Sequence, residues 1–413
     1  MKVWLVNPFD PLPGEQEQLG RYGYLASSLR AAGHEVVWWS SLFSHRFKRN
    51  IAADGVIRAA RDTGIEVRLL PTPPYQRNVS LRRLWNHRVF GREFGRAARG
   101  RPRPDLILAS SPPLESARAA VRLGRAWGVR ALVDIQDQWP DNFARLLPRA
   151  LRPLSRIVLA PYYRMERQAY TLADGIIGVA RGYVERGLAV GGPKARHGVF
   201  PLGVDLAHVR AAMAAGTAAH GAKWRKPPDQ LWLLYSGSLS HNYDVLTIVR
   251  AAAAARQRFG QRVRFILTGA GELASAAQEL VRAQRLDNVC LTGFLDFQEW
   301  ACVLAQVDAG FNASFPDALI YLPNKIFYYL AAGAAVLNTI PGECAELVAQ
   351  SGCGLNYAAG DVRSCLAAID ELLESPQRRV AMRTAAQRLA EQRFDRRIIY
   401  AELVRFLEAA ARP

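Results

Sequence analysis

Cysteine is scarce in this chain. Five residues, Cys290, Cys302, Cys344, Cys353 and Cys365, all lie in the second half of 413 residues. An odd number with no CxxC or Cys/His spacing argues against a disulfide framework and against zinc, and for reduced thiols in a cytoplasmic protein. No apolar run approaches the ~20 residues that cross a bilayer, so any membrane contact is expected to be peripheral. Met1-Lys2-Val3-Trp4-Leu5-Val6 is apolar only briefly before Asn7, Pro8 and Asp10. It reads as a buried first strand rather than a signal peptide. Low-complexity tracts and internal repeats are absent. Also missing are a Ser/His/Asp or Cys/His constellation and a metal cluster, and the seven histidines are scattered. They read as structural or surface residues.

Acidic residues are few in the first half. Residues 1–200 hold 32 Lys/Arg against 16 Asp/Glu, a balance of +16, and the rest hold 22 against 20, a balance of +2. Nearly all of the formal +18 therefore sits in one half. Such a face suits an anionic partner such as a membrane surface, a lipid diphosphate or nucleic acid, or reflects an arginine-rich genome. No nucleic-acid-binding motif accompanies the charge, so nucleic acid is not expected as a partner. Arg82, Arg83, Arg88, Arg92, Arg96, Arg99, Arg101 and Arg103 form the densest cluster, with Leu84, Trp85, Val89 and Phe90 interleaved. Leu151 to Tyr163, with Arg152, Arg156 and Arg164, is a second candidate for surface attachment.

Half the residues are hydrophobic and 22% are charged, which at this length predicts two domains, each with a normal core. The first half alternates strands and helices. Lys2–Asn7, Glu35–Trp39, Asp105–Ala109, Ala131–Ile135 and Gly175–Val179 read as strands. Arg21–Ala32, Leu114–Trp127 and Leu151–Leu172 read as helices. The pattern restarts with strands at Leu231–Tyr235, Val263–Thr268, Asn288–Leu291 and Ala335–Asn338, a helix over Asp244–Gln257, and a last helix over Arg396–Ala411. This alternation predicts α/β architecture with two doubly wound, Rossmann-like domains facing one another across a cleft. The expected boundaries are a first domain over 1–202, a linker over 203–229 rich in Ala, Gly and Lys-Pro-Pro, a second domain over 230–392, and a C-terminal segment over 393–413 that packs back onto the first domain.

Ligands in open α/β sheets sit beyond the carboxyl ends of the strands. That rule selects five loops. Pro8–Gly20 carries Gly14 and Gly20 ahead of a helix. Asp134-Ile135-Gln136-Asp137-Gln138-Trp139 sets polar side chains beside a tryptophan. Ser236-Gly237-Ser238 is a small-residue phosphate loop without a Walker lysine. Gly269-Ala270-Gly271-Glu272, with Thr292-Gly293-Phe294-Leu295, offers backbone groups and an aromatic ring to a base. An ordinary turn or surface loop is the alternative for each of these four, least so for the Asp134 loop, whose polar side chains and tryptophan would be costly to bury without a ligand or partner. The fifth, Leu322-Pro323-Asn324-Lys325-Ile326-Phe327-Tyr328-Tyr329, runs a single lysine into an apolar helix, and Pro341-Gly342-Glu343 through Glu346 opens another. One ammonium and several free N–H groups aimed at a common point are what a nucleotide diphosphate needs.

In order and spacing these segments resemble the family-4 glycosyltransferases, retaining enzymes of GT-B fold, over nearly the entire chain. The resemblance rests on Gly33-His34-Glu35-Val36, Ser110-Ser111-Pro112-Pro113, Asp137-Gln138-Trp139-Pro140, Phe200-Pro201-Leu202-Gly203-Val204-Asp205, Gly237-Ser238-Leu239, Thr292-Gly293-Phe294-Leu295, Pro323-Asn324-Lys325 and Gly342-Glu343. It implies that the second domain binds a UDP- or GDP-linked sugar and the first holds a glycan or lipid-linked acceptor, with no cofactor and no metal. Lys325 would steady the leaving diphosphate with Gly237 and Ser238. Phe294 and Leu295 would lie by the base, and Glu343 and Glu346 near the sugar phosphate. Gly14, Gly269, Asn324 and Tyr328 would complete the donor site, and Gln136 and Asp137 would stand beside the reacting sugar. Catalysis would rest on positioning and charge stabilisation.

Three contacts depart from the family pattern. Tyr328 stands where a glutamate usually accepts hydrogen bonds from the ribose hydroxyls, Gln136 replaces His or Arg, and the arginine and lysine of the Gly237 loop are missing. A charged hydrogen bond contributes about 1.5–3 kcal/mol, so the first change alone weakens donor binding roughly tenfold to a hundredfold. A catalytically degenerate scaffold that binds a partner glycosyltransferase is therefore the alternative. A sugar-nucleotide epimerase of related architecture would need an acid–base pair that the loops do not offer.

Overall fold

The computed structural model describes residues 1–15, 19–144 and 152–412. It divides into two compact units: Met1–Pro201 together with the residues from Tyr400 on, and Leu202–Ile399.

The first unit is built on a seven-stranded parallel sheet of β1 (Lys2–Val6), β2 (Glu35–Ser41), β3 (Glu66–Leu70), β4 (Leu106–Ser111), β5 (Arg130–Ile135), β6 (Gly175–Gly178) and β7 (Arg196–Val199). The spatial order is β3-β2-β1-β4-β5-β6-β7. Near-continuous apolar runs such as Val3-Trp4-Leu5-Val6 suit strands covered on both faces. An aromatic cluster fills one side of the sheet, with Trp4 edge-on to Trp39 (5.1 Å), Trp127 (5.7 Å) and Phe94 (6.4 Å).

The second unit repeats the plan with β8 (Leu231–Ser236), β9 (Val263–Thr268), β10 (Val289–Gly293), β11 (Ala309–Asn312), β12 (Ala335–Asn338) and β13 (Gly354–Asn356). Its order is β10-β9-β8-β11-β12-β13. Both sheets reverse direction beside their first strand, which leaves a switch point for ligands beyond β1 and β4 and another beyond β8 and β11.

Two segments differ from the sequence expectation. Residues 203–229 are not an extended connection. Leu206–His220 is a helix whose N-terminus is capped by Asp205 Oδ1, accepting from His208 N (3.0 Å). It packs on the helix Phe297–Gln306, with the His208 ring stacked on Phe297 at 5.4 Å. The contact is so close that a Cβ at Gly216 would lie 2.2 Å from Gln298 O. The alanines and glycines that resemble a flexible linker are what lets two helices approach this far. Leu151–Leu172, expected as one helix, is two where described, Arg152–Val158 and Ala160–Leu172. Residue 151 lies outside the described residues.

The expected peptide loop at the end of β5 is organised by a buried ion pair. Arg21 Nε and Nη2 donate to Asp134 Oδ2 and Oδ1 at 2.8 and 2.9 Å, and Nη1 donates to Phe200 O at 2.7 Å. The two side chains are 1% and 0% exposed. Removing one partner strands a buried charge. Asp134→Ala is therefore expected to lose about 3–5 kcal/mol of stability, read as a lower urea midpoint; an unchanged midpoint contradicts this.

Candidate functional site

The loops after β8, β9 and β10 are laced together by backbone. Gly237 N donates to Thr268 O (3.0 Å), Leu239 N to Ala270 O (2.9 Å), and Gly269 N to Gly293 O (2.8 Å). Gly269 adopts φ +131, and a Cβ there would sit 1.9 Å from Gly237 O, so only glycine fits. Tyr235 Oη donates to Ser238 O at 2.7 Å, which fixes the small-residue loop from beneath and leaves Gly237 and Ser238 exposed.

Against this loop lies Lys325, the second residue of the helix Asn324–Ala331. Its stem reaches the surface, but the ammonium is buried without a hydrogen-bond partner. A Cβ at Gly237 would be 3.4 Å from Nζ. The ammonium faces two rings, Tyr235 at 4.1 Å and Tyr243 at 4.3 Å from their centroids. Cation–π attraction offsets part of the desolvation. No opposite charge offsets the rest, and burial pushes the amine down to about 7. The helix itself is pinned to β8 by Tyr329, whose Oη accepts from Ser236 N at 3.1 Å.

Tyr328 packs edge-on against Trp300 at 5.1 Å, and Trp300 Nε1 donates to Ser236 Oγ at 2.9 Å. Phe294, following Gly293, is 84% exposed, and Leu295 beside it is half-buried. Asn324 is exposed at the first position of its helix, while Glu343 and Glu346 occupy the first turn of the helix Glu343–Ser351.

The sequence reading missed what holds that last turn. Asn312, Asn338 and Asn356 sit directly opposite one another at the carboxyl ends of β11, β12 and β13. Asn312 Nδ2 donates to Asn338 Oδ1, and Asn338 Nδ2 to Asn356 Oδ1, both at 2.8 Å. Asn356 Nδ2 donates to Ala345 O at 3.0 Å, and Asn338 Nδ2 also reaches Ile340 O at 2.9 Å. This amide ladder locks the Ile340–Glu343 turn to the sheet. Three asparagines closing three successive strand segments were the available signal.

The structure thus collects Gly237, Ser238, Gly269, Phe294, Leu295, Asn324, Lys325, Tyr328, Glu343 and Glu346 on the carboxyl-end loops of the second sheet. Gly14, Gln136 and Asp137 belong to the first unit. Gly14 is a turn residue at φ +84 beside Ala59. Gln136 Nε2 donates to Asp134 Oδ2 at 3.0 Å. Asp137 Oδ1 accepts from Gln138 N at 2.8 Å and Asn142 Nδ2 at 2.5 Å. The polar side chains of that loop, expected to be costly to bury unaided, are satisfied internally.

A second cluster forms at the carboxyl ends of β1, β2, β3 and β5. Arg83 lies over Trp139 (5.0 Å) and Phe9 (5.6 Å), and the His87 ring packs at 5.2 Å from each. His45 Nδ1 bonds Tyr75 Oη, and Lys48 Nζ lies over the Tyr75 ring at 4.8 Å. Burial first, then Arg83, moves His45 down to about 3 and Lys48 to about 8. These histidines were expected to be structural or surface residues, and Arg83 was expected in a membrane patch; Arg83 and His87 stand one turn apart on the helix Leu81–Ala98, and the loops after β1, β2, β3 and β5 bring the other members to them. Among the described residues, no group of three or more His, Cys, Asp or Glu could hold a metal, and no helix is long and apolar enough to cross a membrane.

Two doubly wound parallel sheets in one chain are the architecture of the GT-B glycosyltransferases. The sequence model described as "Glycosyl transferase 4-like domain" matches residues 20–203 and that described as "Glycosyl transferases group 1" matches 230–375. The chain belongs to the family-4-like GT-B glycosyltransferases. No curated protein sequence matches it. Solved structures with the same fold include Anabaena HepE in complex with UDP, at 16% identity and TM-score 0.69 over 99% of this chain and 100% of that one. Sucrose-phosphate synthase from Thermosynechococcus elongatus superposes at TM-score 0.71 and 17% identity, over 99% of each chain. WaaG, a glycosyltransferase involved in lipopolysaccharide biosynthesis, does so at 0.65 and 14%, over 100% of this chain and 98% of that one.

The Lys325 geometry has a stability consequence. The amine is depressed from 10.5 to about 7, so the folded state disfavours the charged form. The penalty is present in full below pH 7 and fades as the pH rises toward 10.5. Lys325→Met is expected to be more stable than the parent by about 1–3 kcal/mol at pH 6, with the gap closing by pH 10. A parent urea midpoint above that of Lys325→Met at pH 6 contradicts it.

Proposed function

We propose that the protein is a retaining glycosyltransferase that moves a sugar from a UDP- or GDP-linked donor to a glycan or lipid-linked acceptor of the cell envelope. The observation that carries this reading is the buried, unpaired Lys325 ammonium on the Gly237 loop. A diphosphate supplies the negative charge that site lacks, and its departure is what catalysis must stabilise. Phe294 offers an exposed ring to the base, and Asn324, Glu343 and Glu346 flank the diphosphate and sugar. Gly237, Ser238 and Gly269 admit the diphosphate by presenting backbone in place of side chains. HepE, of the same fold, is a UDP complex, which supports a nucleotide-sugar partner here.

The first unit is proposed to bind the acceptor, with Arg83 and Lys48 set among Phe9, Tyr75 and Trp139 to receive an anionic or sugar group. Gln136 and Asp137 keep their proposed place beside the reacting sugar, and Gly14 its place in the donor loop. Asp137, already accepting two hydrogen bonds, serves as a positioning group rather than a nucleophile. A cytoplasmic enzyme at the membrane's inner face fits the exposed Leu81, Trp85, Leu154, Ile157 and Val158 interspersed with arginines.

Tyr328 favours a second reading. Its ring packs on Trp300 where a ribose-binding glutamate is expected, so a degenerate scaffold that binds a partner glycosyltransferase is the alternative. Calorimetric titration with UDP, GDP and ADP separates the two. The enzyme reading predicts saturable binding of one of them, weakened roughly tenfold to a hundredfold in Lys325→Ala, and a glycosylated product that keeps the donor's anomeric configuration. Absence of binding at millimolar nucleotide, restored in Tyr328→Glu, establishes the scaffold; absence in both overturns the donor site.

A further inference from the structure

The arginines between 82 and 103 do not form one surface. Leu81 and Trp85 point outward at 83% and 55% exposure, and Arg83 turns inward over Trp139. Arg88, Arg92, Arg96 and Arg99 fall on another face of the helix Leu81–Ala98 and its C-cap, at spacings of four, four and three. Across from them stand Arg118 and Arg122 of the helix Leu114–Trp127. The six guanidinium groups line a cavity of about 830 Å³, within the size range of small-molecule sites. Leu123, Trp127, Pro161 and Met165 supply its apolar surface. The cavity lies entirely in the first unit, among the helices Leu81–Ala98, Leu114–Trp127 and Ala160–Leu172, and its lining includes neither Arg83 nor Asp137.

Two observations indicate that its walls do not complete one another. Like charges at i and i+4 repel, and the pattern places three such pairs here: Arg88 with Arg92, Arg92 with Arg96, and Arg118 with Arg122. Glu93 takes up part of the charge, paired to Arg96 at 2.6 Å and to Arg92 at 3.4 Å. Arg118 Nη1 reaches only the neutral Gln168 Oε1, at 3.5 Å. The second observation is Glu115, which lines the cavity and is 5% exposed, with both carboxyl oxygens buried and no hydrogen bond to another of the described residues, its own backbone N–H being the one group that favours it locally. Burial outweighs Arg88 and Arg118 and pushes this carboxyl up to about 7. In its neutral form it donates a hydrogen bond, so it complements a phosphate rather than opposing one.

We infer that this arginine-lined cavity is a second ligand site, separate from the donor site, for a phosphate- or diphosphate-bearing molecule. Guanidinium forks match phosphate oxygens bidentately, and six of them exceed what one buried acid can neutralise. The apolar side allows the phosphate to carry an organic body. Both a free phosphorylated metabolite and a phospholipid headgroup have this chemistry.

The test uses the full chain with Lys325→Ala as background, which weakens the donor site's own hold on a diphosphate and leaves the arginine pair to separate the two sites. Inorganic pyrophosphate is titrated calorimetrically, and flotation is measured with vesicles of phosphatidylcholine containing phosphatidylglycerol. The expected result is that one or both probes bind to Lys325→Ala and lose at least tenfold in affinity when Arg88→Ser and Arg122→Ser are added. Pyrophosphate binding alone identifies a free metabolite, and vesicle binding alone a headgroup. An Arg88→Lys/Arg122→Lys variant, which keeps the charge but not the fork, shows whether a loss reflects recognition or misfolding, because it must retain part of the binding. Failure of both probes to bind, or binding that the serine pair leaves unchanged, overturns the site.

Discussion

A buried lysine amine without a counter-ion, which gives up its proton more readily than a lysine in water, is the constraint around which the second unit is organised. An ammonium removed from water costs several kcal/mol, and two tyrosine faces return only part of it. A fold tolerates such a group where something outside the chain completes it. The surrounding structure is rigid in the way this requires: Tyr329 fixes the helix carrying Lys325 to the end of β8, and Tyr235 Oη holds the loop on which the ammonium rests. These two bonds fix the backbone on either side of the amine. Strain of this kind is characteristic of sites whose ligand is part of the design.

The rest of the donor-side surface is built from backbone, and this follows from the same demand. Side chains are excluded where the loops meet, since a Cβ at Gly269 would lie 1.9 Å from Gly237 O, and the same backbone is what the proposed site offers a diphosphate. The side chains proposed to read the donor are held by separate devices, the asparagine ladder below Glu343 and the Trp300–Ser236 bond behind Tyr328. The first unit uses the opposite strategy. Its strand-end loops present aromatic rings and cations, with Asp134 neutralised by Arg21 so that the loop after β5 keeps its shape without a ligand.

Much of the fold was legible because helix and strand periodicities differ sharply in an alternating chain. The helices Leu114–Trp127 and Arg396–Ala411 and the strands Val263–Thr268 and Ala335–Asn338 fall where the pattern places them. The helix Leu206–His220 was not legible, since small residues serve flexible linkers and tight helix crossings alike. Lys325 was legible as a candidate from its position before an apolar helix, though not its burial between two tyrosines from distant segments. The asparagine ladder joins three strand ends that only the sheet order brings together, although each strand segment closes on an asparagine; in the Arg83–His87–Trp139 cluster the four-residue spacing on one helix was visible, but not its meeting with Trp139 from the loop after β5. The run of arginines illustrates the reverse error, because proximity in sequence suggested one patch where the helix directs its members to different faces.

The account depends on the Lys325 amine being largely neutral in the free protein and charged beneath a diphosphate. Titrating the protein at pH 8 with the nucleoside diphosphate that binds it, in buffers of differing ionisation enthalpy, measures that directly. An amine near 7 is mostly unprotonated at pH 8, so binding is expected to take up close to one proton. Binding with no proton exchange, or with net release, would mean that the ammonium is already charged without its ligand and would contradict the account.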